Sequence, residues 1–382
     1  MNTPQDQTAI LDLGRRLHAE VLDPMKRSFV GKDEIIDLLG LCLVGGENLF
    51  ILGPPGTAKS ALVHGIAARM EGRSFDYLLT RFTEPNELFG PFDLRKLREG
   101  ELLTNTEGML PEASLVFLDE LLNANSAILN SLLLALNERL FRRGKESRRI
   151  KALMFVGASN HLPEDDALKA LFDRFLLRVH CDNVAPEQLL AVLDAGWKLQ
   201  RIGPVAATLH FEAIEALQRL LPEVDLSACR GAYVELVQRV RHAGIPVSDR
   251  RAVKLQRLLA ASALLCGRMN ARVSDLWVLK HIWDTEEQRE VLQSLVGAAL
   301  AHDAASAEDH PRARAGESAD AEGIARDLEA IAAQLPDSDA TEKSYLRDRL
   351  GILDGRCQWV ADGEQREFLA SRVAALWAEF PR

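Results

Sequence analysis

The sequence predicts an α/β fold in which a mostly parallel sheet is flanked by helices and followed by an all-helical region. Short apolar runs typical of buried strands alternate with helical stretches up to about residue 184. A glycine-rich loop separates one of these runs from the helix that follows it. Beyond residue 184, leucines recur at three- and four-residue spacing without the alternation of a strand.

The glycine-rich loop covers residues 53–60 and reads GPPGTAKS. The run 49–52 before it is apolar, and Leu62, Ile66 and Met70 recur every four residues after it, so the loop opens a helix. Inward backbone N–H groups, a lysine and a hydroxyl at this spacing suit the phosphates of a nucleoside triphosphate and its Mg²⁺. The predicted nucleotide ligands in the loop are Gly53, Pro54, Pro55, Gly56, Thr57, Ala58, Lys59 and Ser60, and Ser60 is also a predicted Mg²⁺ ligand. A plain Gly-Pro turn is the alternative.

One position of the loop departs from the usual pattern. Ala58 stands where glycine normally precedes the lysine. Because alanine carries a Cβ, this residue predicts a backbone that is already close to helical geometry at position 58.

A second apolar run, 115–118, ends in two acidic residues, Asp119 and Glu120. A strand that presents carboxylates at its end suggests two roles beside a phosphate loop. We predict that Asp119 binds Mg²⁺, through water, and contacts the nucleotide, and that Glu120 polarises the water that attacks the γ-phosphate. A lone Asp-Glu pair more often marks a solvated turn, so the prediction depends on the loop upstream.

Asn160 follows a third apolar run, 153–158, which places an uncharged amide at the same predicted sheet edge as the two acids. It could orient the attacking water and is therefore a predicted catalytic residue. An asparagine at a strand end is usually a turn former, which is the alternative.

Two arginines could reach the phosphates from elsewhere in the fold. Arg174 lies at the end of a short helix before the apolar run 175–179 and is a candidate arginine finger. Arg251 lies in the first turn of a long helix that Ser248 caps, so it could reach the phosphates from a separate lid. Arg250 competes with Arg251 for this role, and a surface salt bridge is the alternative for each arginine.

These motifs, in this order, resemble the MoxR family of AAA+ ATPases, and most closely its RavA branch. The similarity extends from about Phe29 to about Trp283. Besides the loop, it depends on the segments 29–32, 79–82, 87–91, 117–120, 136–139, 158–160 and 172–175. After the acidic pair the chain reads Leu-Leu-Asn-Ala at 121–124, where the broader family usually has Ile-Asn-Arg-Ala, and this difference favours the RavA branch.

The resemblance implies a P-loop AAA+ module with an all-α lid, which binds ATP and Mg²⁺ and hydrolyses ATP. It also implies nucleotide contacts at Val30 and Gly31. It further implies a homo-oligomeric ring, usually a hexamer, in which Arg174 of one subunit completes the site of its neighbour. The implied role is that of a chaperone or remodeller of protein complexes, which acts on a protein client together with a partner that has a von Willebrand factor A (vWA) domain.

Two hairpins are predicted within the α/β core. The first joins 92–97 to 101–104. The second, which we call the basic hairpin, spans 139–151, where Gly144 is flanked by seven basic residues and one acidic residue.

The basic hairpin raises the alternative of a motor that acts on DNA, since lysine and arginine neutralise phosphates. A solvated turn is the commoner explanation of such a charge run. The net charge of −10 and the single aromatic residue of the hairpin, Phe141, weigh against nucleic acid. A nucleotide-gated scaffold without turnover is a third alternative, but Glu120, Asn160 and Arg174 together favour hydrolysis.

The predicted domains are an N-terminal helix (1–28), an AAA+ α/β nucleotide-binding core (29–184), an all-α lid (185–301), a flexible linker (302–323) and a helical C-terminal tail (324–382). The linker contains no aliphatic residue larger than alanine. Two helical stripes in the tail, which begin with Ile324 and Leu369, pack either on each other or on a partner. RavA-like proteins carry a longer C-terminal part with a β-rich module, which this tail does not resemble.

Composition favours a cytoplasmic protein without a membrane span. The N-terminal region is polar, and no later apolar run reaches the length that a bilayer requires. The five cysteines lack the spacing of a zinc site or a disulfide framework. Hydrophobic residues make up 47% of the 382 residues, which is enough to bury a substantial core.

Overall fold

The computed structural model describes residues 4–201, 206–301, 306 and 308–314, together with short stretches between 324 and 379. The chain separates into two compact units, Met1–His310 and Pro311–Arg382. The predicted domain boundaries are finer than this division and stay predictions.

The described strands form one five-stranded sheet and two short pairs. In chain order they are β1 (Leu49–Leu52), β2 (Met70–Glu71), β3 (Ser74–Leu78), β4 (Leu115–Asp119), β5 (Leu140–Arg143), β6 (Glu146–Arg149), β7 (Met154–Ser159), β8 (Leu177–His180) and β9 (Leu209–His210). The large sheet has the order β3-β4-β7-β1-β8, and each neighbouring pair in it is parallel. Because β1 and β7 are buried along their whole length, they read as continuous apolar runs in the sequence.

Helices flank this sheet and form a second, helical layer after it. In chain order the helices of the first unit are α1 (Pro4–Arg16), α2 (Asp23–Ser28), α3 (Asp33–Gly45), α4 (Lys59–Arg69), α5 (Pro85–Phe89), α6 (Leu94–Arg98), α7 (Ser126–Glu138), α8 (Asp166–Phe172), α9 (Leu189–Arg201), α10 (Phe211–Leu220), α11 (Ser227–His242), α12 (Asp249–Leu265) and α13 (Glu287–Leu300). A π-helical stretch, Leu17–Leu22, joins α1 to α2, and 3₁₀ helices lie at Leu110–Glu112, Leu121–Asn123, Pro186–Gln188, Leu221–Glu223 and Val273–His281. In the described part of the chain, no helix is both long and apolar enough to cross a membrane.

The predicted fold class is confirmed: a parallel sheet lies between helices, and an all-helical layer and a helical C-terminal part follow it. The apolar run at 49–52 is β1, and the run at 115–118 is β4 without its last residue. The runs predicted at 153–158 and 175–179 form strands that are displaced by one or two residues, β7 and β8.

The basic hairpin is confirmed, whereas the first predicted hairpin is wrong. β5 and β6 pair antiparallel around Gly144, whose φ of 60° suits a glycine in a tight turn. In the other segment, residues 94–98 form α6 because the Asp93 carboxylate caps the helix by accepting hydrogen bonds from two of its amides. Strand-like pairing there is limited to one isolated bridge between Phe92 and Thr104.

The N-terminal helix α1 packs against the helical layer, on α10 and α12. Gly14 permits this approach, because a Cβ at position 14 would lie 2.4 Å from the carbonyl oxygen of Leu264 in α12. α12 also packs on α3, which in turn packs on β1 and β8. The helical layer is therefore joined to the sheet through packed helices.

A group of charges, the Asp284 cluster (two buried arginines, Arg178 and Arg251, and the partly exposed Asp284), also joins the sheet to the helical layer. Arg178 of β8 is fully buried, and its Nη1 lies 3.0 Å from Asp284 Oδ1. Arg251 of α12 reaches the same oxygen at 3.3 Å. Burial, and after it the positive charge of Arg251, lower the pKa of Arg178 to about 9, although Asp284 opposes the shift. Arg178 therefore stays charged at neutral pH, and one carboxylate serves two guanidinium groups.

The second unit is helical where it is described, at Pro311–Arg314, at Gly363–Glu379 and in shorter stretches between them. The two predicted stripes pack on each other in one buried cluster. Its members are Ile324, Leu328, Ile331, Leu335, Leu346, Leu350, Leu353, Cys357, Leu369, Val373 and Leu376. The predicted linker at 302–323 lies largely outside the described residues.

Replacing Asp284 by alanine tests the Asp284 cluster. The change leaves Arg178 and Arg251 facing each other without a counter-ion, so we expect the free energy of unfolding to fall by about 2 kcal/mol; Asp284 is partly exposed, which keeps the loss below that of a fully buried pair. Chemical denaturation followed by circular dichroism measures the change. Asp249→Ala is the matched control, because it removes an exposed carboxylate that pairs with Arg241; a loss as large as that of Asp284→Ala would contradict the assigned role of the cluster.

Candidate nucleotide-binding site

The loop 53–60 lies at the carboxyl end of β1, between the ends of β7 and β8. The Gly53 amide donates to the carbonyl oxygen of Ser159 at 3.0 Å, and the Cys181 amide donates to that of Leu52 at 2.7 Å. A Cβ at Gly53 would lie 2.3 Å from the Cys181 carbonyl oxygen. This close approach of two backbones explains why the loop begins with a glycine.

The prediction of near-helical geometry at Ala58 is wrong. Ala58 has φ 72° and ψ 20°, in the left-handed region, and it caps the first turn of α4. It is the last residue before α4 begins at Lys59. An alanine pays roughly 1 kcal/mol for this conformation relative to glycine, which explains why glycine is the usual residue there.

Lys59 is buried inside the loop. Its Nζ donates to the carbonyl oxygens of Gly53 and Pro54 at 2.7 and 2.9 Å. Thr57 Oγ1 donates to the Pro54 oxygen at 2.9 Å, and Cys181 Sγ donates to the Thr57 carbonyl oxygen at 3.1 Å. The loop is thus held in shape by the side chains of Thr57 and Lys59 and by Cys181 from the segment after β8.

Ser60 and Asp119 meet across the carboxyl edge of the sheet. Ser60 Oγ, in the first turn of α4, donates to Asp119 Oδ2 at 3.1 Å. Hydroxyl and carboxylate oxygens are the ligand types that suit Mg²⁺, which binds few protein groups and completes its shell with phosphates and water. Within the described residues, no group of three or more His, Cys, Asp or Glu side chains is arranged to hold a metal ion. The Ser60 hydroxyl and the Asp119 carboxylate fit a Mg²⁺ ion that arrives with the nucleotide.

Glu120 leaves the end of β4 in a strained conformation. Its φ of 49° and ψ of 43° lie in the left-handed region, and its amide donates to Asp119 Oδ1 at 2.9 Å. A non-glycine residue in this region costs energy and is typical of functional sites. This conformation turns the chain at Glu120 away from the direction of β4, at the edge of the sheet where the loop 53–60 lies.

Asn160 comes directly after β7 and is exposed. β7 lies between β4 and β1 in the sheet, so Asn160 follows a strand whose neighbours lead to Glu120 on one side and to the loop on the other. The structure thus brings five of the predicted residues to one edge of the sheet: Lys59, Ser60, Asp119, Glu120 and Asn160. Their catalytic and binding roles stay predictions.

Arg174 lies at the other end of the sheet. Its carbonyl oxygen accepts a hydrogen bond of 2.9 Å from Asn48 Nδ2, and Asn48 directly precedes β1. The four residues of β1 therefore separate this point from the loop, a length of about 13 Å. The Arg174 side chain is 27% exposed and lies 3.5 Å from Asp173. The structure does not bring Arg174 to the loop of its own chain.

Arg251 is held within the Asp284 cluster. Besides its contact with Asp284, it donates through Nη2 to the carbonyl oxygen of Ile282 at 2.5 Å and through Nη1 to that of Pro246 at 3.4 Å. The neighbouring Arg250 is exposed. The choice between these two arginines as the lid residue that reaches the phosphates stays a prediction.

Val30 and Gly31 lie in the turn between α2 and α3, beside the segment that follows β8. Gly31 has a φ of 70°, and a Cβ there would lie 2.9 Å from a methyl group of Val184. The next residue, Lys32, donates through Nζ to the carbonyl oxygen of Asp182. The predicted nucleotide contacts at Val30 and Gly31 are thereby placed next to the strand that flanks the loop.

Three residues that connect these parts, the buried Arg178 and Asn48 and the partly exposed Asp284, were missed in the sequence. Arg178 had a signal, because a charged residue in the middle of the apolar run 175–179 needs a buried partner. Asp284 and Asn48 had none, since their contacts join segments that are far apart in the chain.

Comparisons with known proteins agree with this architecture. A family model for the MoxR domain of MoxR-vWA-β-propeller ternary systems matches residues 15–219, and a model of the AAA lid domain matches residues 230–296. An uncharacterized protein of Methanocaldococcus jannaschii, MJ0079, is 34% identical over 69% of this chain and 70% of its own. Chaperone MoxR1 of Mycobacterium tuberculosis is 25% identical over 43% of this chain and 44% of its own.

Among solved structures, a candidate ATPase from Cytophaga hutchinsonii ATCC 33406 superposes with a TM-score of 0.63 at 19% identity, over 75% of this chain and 96% of that one. This likeness supports the fold. Because the MoxR model covers more than half of the chain and a lid model follows it, the chain belongs to the MoxR family of AAA+ ATPases.

Proposed function

We propose that this protein is a Mg²⁺-dependent, ATP-hydrolysing ring protein that remodels protein complexes as a chaperone. The observation that carries the proposal is the 3.1 Å hydrogen bond between Ser60 and Asp119, which joins a phosphate-type loop to an acidic strand end. Glu120 follows at once. A protein that only bound nucleotide would have no need of a carboxylate at that point.

The chemistry would proceed at the edge formed by β4, β7 and β1. The loop amides and the Lys59 ammonium would hold the β- and γ-phosphates, and Ser60 and Asp119 would hold Mg²⁺, which neutralises phosphate charge when bound. The Glu120 carboxylate would accept a hydrogen bond from the attacking water and draw its proton away from the γ-phosphate. Asn160 would orient the same water.

Arg174 would act on the nucleotide of a neighbouring subunit. The length of β1 separates it from the loop of its own chain, whereas its partly exposed side chain is available to an adjacent protomer. A guanidinium supplied in this way neutralises charge on the transferred phosphoryl group and contributes roughly 10³ to 10⁵ in rate. We therefore propose a closed ring, a hexamer by analogy with the family, with a composite site at each interface.

The partner we propose is a protein with a vWA domain. The matching family model describes MoxR domains from ternary systems with vWA and β-propeller components, and one relative is named a chaperone. The RavA branch, the protein client and the cytoplasmic location remain predictions from the sequence.

The alternative of a DNA motor gains no support. Within the basic hairpin, Arg143 donates to the Gly90 carbonyl oxygen at 3.0 Å and lies 3.7 Å above the ring of Phe92. Arg148 is paired with Glu146 at 2.5 Å. Two arginines of the basic hairpin are therefore already engaged by partners within the chain. In addition, none of the relatives described above has a name that refers to nucleic acid.

Lys59→Ala and Glu120→Gln should separate binding from turnover. Lys59→Ala removes the ammonium from the loop, so we expect loss of measurable binding of a fluorescent ATP analogue. Glu120→Gln keeps the shape of the side chain but cannot take a proton, so binding should persist while phosphate release falls by at least about 100-fold. Lys151→Ala, which changes an exposed lysine at the last position of the basic hairpin, is the control. Full turnover by Glu120→Gln would exclude its proposed role.

Mixing two inactive variants tests whether Arg174 acts between subunits. Arg174→Ala subunits keep a complete loop and Glu120, whereas Glu120→Gln subunits keep the finger, so the mixture should regain phosphate release that neither variant shows alone. Arg219→Ala, an exposed arginine of α10, should retain normal turnover without mixing. A mixture that stays as inactive as its components would argue against a composite site.

The Glu120→Gln variant also tests the proposed partner, because it should hold ATP without hydrolysing it. We expect pull-down with ATP to recover a protein with a vWA domain, and to recover it poorly with Lys59→Ala, which lacks bound nucleotide. Mass spectrometry of the recovered proteins is the measurement. Recovery of a different stable client and no vWA protein would refute the partner assignment.

A further inference from the structure

Asn48 connects the region of Arg174 to the base of the basic hairpin, although it belongs to none of the motifs. It lies directly before β1 and is 2% exposed. Its Nδ2 donates to the Arg174 carbonyl oxygen at 2.9 Å. Its Oδ1 accepts from Arg139 Nη2 at 2.9 Å and from the Phe155 amide at 3.3 Å. The nitrogen and the oxygen of one buried side-chain amide thus form hydrogen bonds with three other segments of the chain.

Arg139 ties this amide to the basic hairpin. It ends α7 with a φ of 53°, and its carbonyl oxygen accepts from the Ile150 amide at 2.8 Å, which closes the base of the hairpin. Its guanidinium lies 4.6 Å from the centre of the Phe155 ring. Burial lowers the pKa of Arg139 to about 10, so the group is still charged at neutral pH and holds the Asn48 oxygen with a charge-assisted hydrogen bond.

Arg174 is fixed through its backbone, whereas its side chain is only loosely held. Its amide donates to the Leu171 carbonyl oxygen at 3.0 Å, and its carbonyl oxygen accepts from Asn48. Within the part of the chain that the structure describes, the side chain has a single ion pair, with Asp173 at 3.5 Å. The side-chain amide of Asn48 therefore fixes the backbone position of Arg174. The guanidinium group of Arg174 remains able to extend to another molecule.

We propose that Asn48 is a positioning residue for ATP hydrolysis: through the Arg174 carbonyl it holds the finger in place for the neighbouring subunit, and through Arg139 it links that position to the basic hairpin. The inference rests on the proposed function, because it requires Arg174 to act on a neighbour's nucleotide. A displacement of the finger by about 1 Å is enough to cost up to about 100-fold in rate.

Asn48→Asp isolates the contact with Arg174. Aspartate has nearly the same shape and keeps an acceptor oxygen for Arg139 and for the Phe155 amide. It replaces the Nδ2 donor by an oxygen that repels the Arg174 carbonyl oxygen. The variant therefore disturbs one hydrogen bond while the Arg139 guanidinium compensates the new negative charge.

The subunit-mixing assay shows where the effect arises. Glu120→Gln subunits supply the finger, Arg174→Ala subunits supply the competent site, and Asn48→Asp is added to one or the other. We expect phosphate release to fall by about tenfold or more only when Asn48→Asp is in the finger-supplying subunit, with the KM for ATP changed by less than about twofold. Arg139→Met, introduced in the same two ways, should show the same one-sided loss.

Each outcome decides between the inference and its rivals. Equal losses in both arrangements would mean that Asn48 merely supports β1 and its loop, and an unchanged rate in both would also overturn the inference. Asn270→Asp, the same change at an exposed asparagine, should leave both mixtures unaffected. If the mixture of Glu120→Gln and Arg174→Ala subunits with native Asn48 regains no phosphate release, the proposed composite site is wrong, and this inference is wrong with it. If that mixture regains phosphate release, the Asn48→Asp result tests this inference alone.

Discussion

The hydrogen bond between Ser60 and Asp119 is the constraint on which the candidate site depends. Since the loop 53–60 ends at Ser60 and Glu120 follows Asp119, this one contact sets the distance between the loop proposed to hold phosphates and the carboxylate proposed to activate water. The strand order makes the contact available, because β4, β7 and β1 are parallel neighbours and end at the same edge of the sheet. The site therefore depends on the strand order of the sheet as well as on the motif residues themselves.

Features with a local chemical cause could be predicted from the sequence. The run 49–52 becomes β1 because continuous burial selects continuous apolar residues, and the basic hairpin follows from a glycine between two short strands. The segment 92–104 was mispredicted as a hairpin, because a single carboxylate at Asp93 stabilises a helical turn there. The contact between Asn48 and Arg174 joins positions 126 residues apart, so no local pattern reveals it.

Backbone strain concentrates around the candidate site and the network behind it. Among the described residues, the non-glycine residues with positive φ are Ala58, Glu120 and Arg139, at 72°, 49° and 53°. Each lies where a regular element ends: the start of α4, the end of β4 and the end of α7. Such conformations persist only when surrounding contacts hold them. At Glu120 the hydrogen bond from its amide to Asp119 supplies part of that support, and at Arg139 the contact with Asn48 does so.

The shared carboxylate of Asp284 has a mechanical consequence. Arg178 belongs to the sheet and Arg251 to the helical layer, and each relies on the same acid for charge compensation in a buried setting. Rotation of one layer against the other would separate one of the arginines from Asp284 and leave it without a counter-ion. Hinge motion at this position is therefore energetically unfavourable. The sheet and the helical layer of the first unit should then move together as one stiff block.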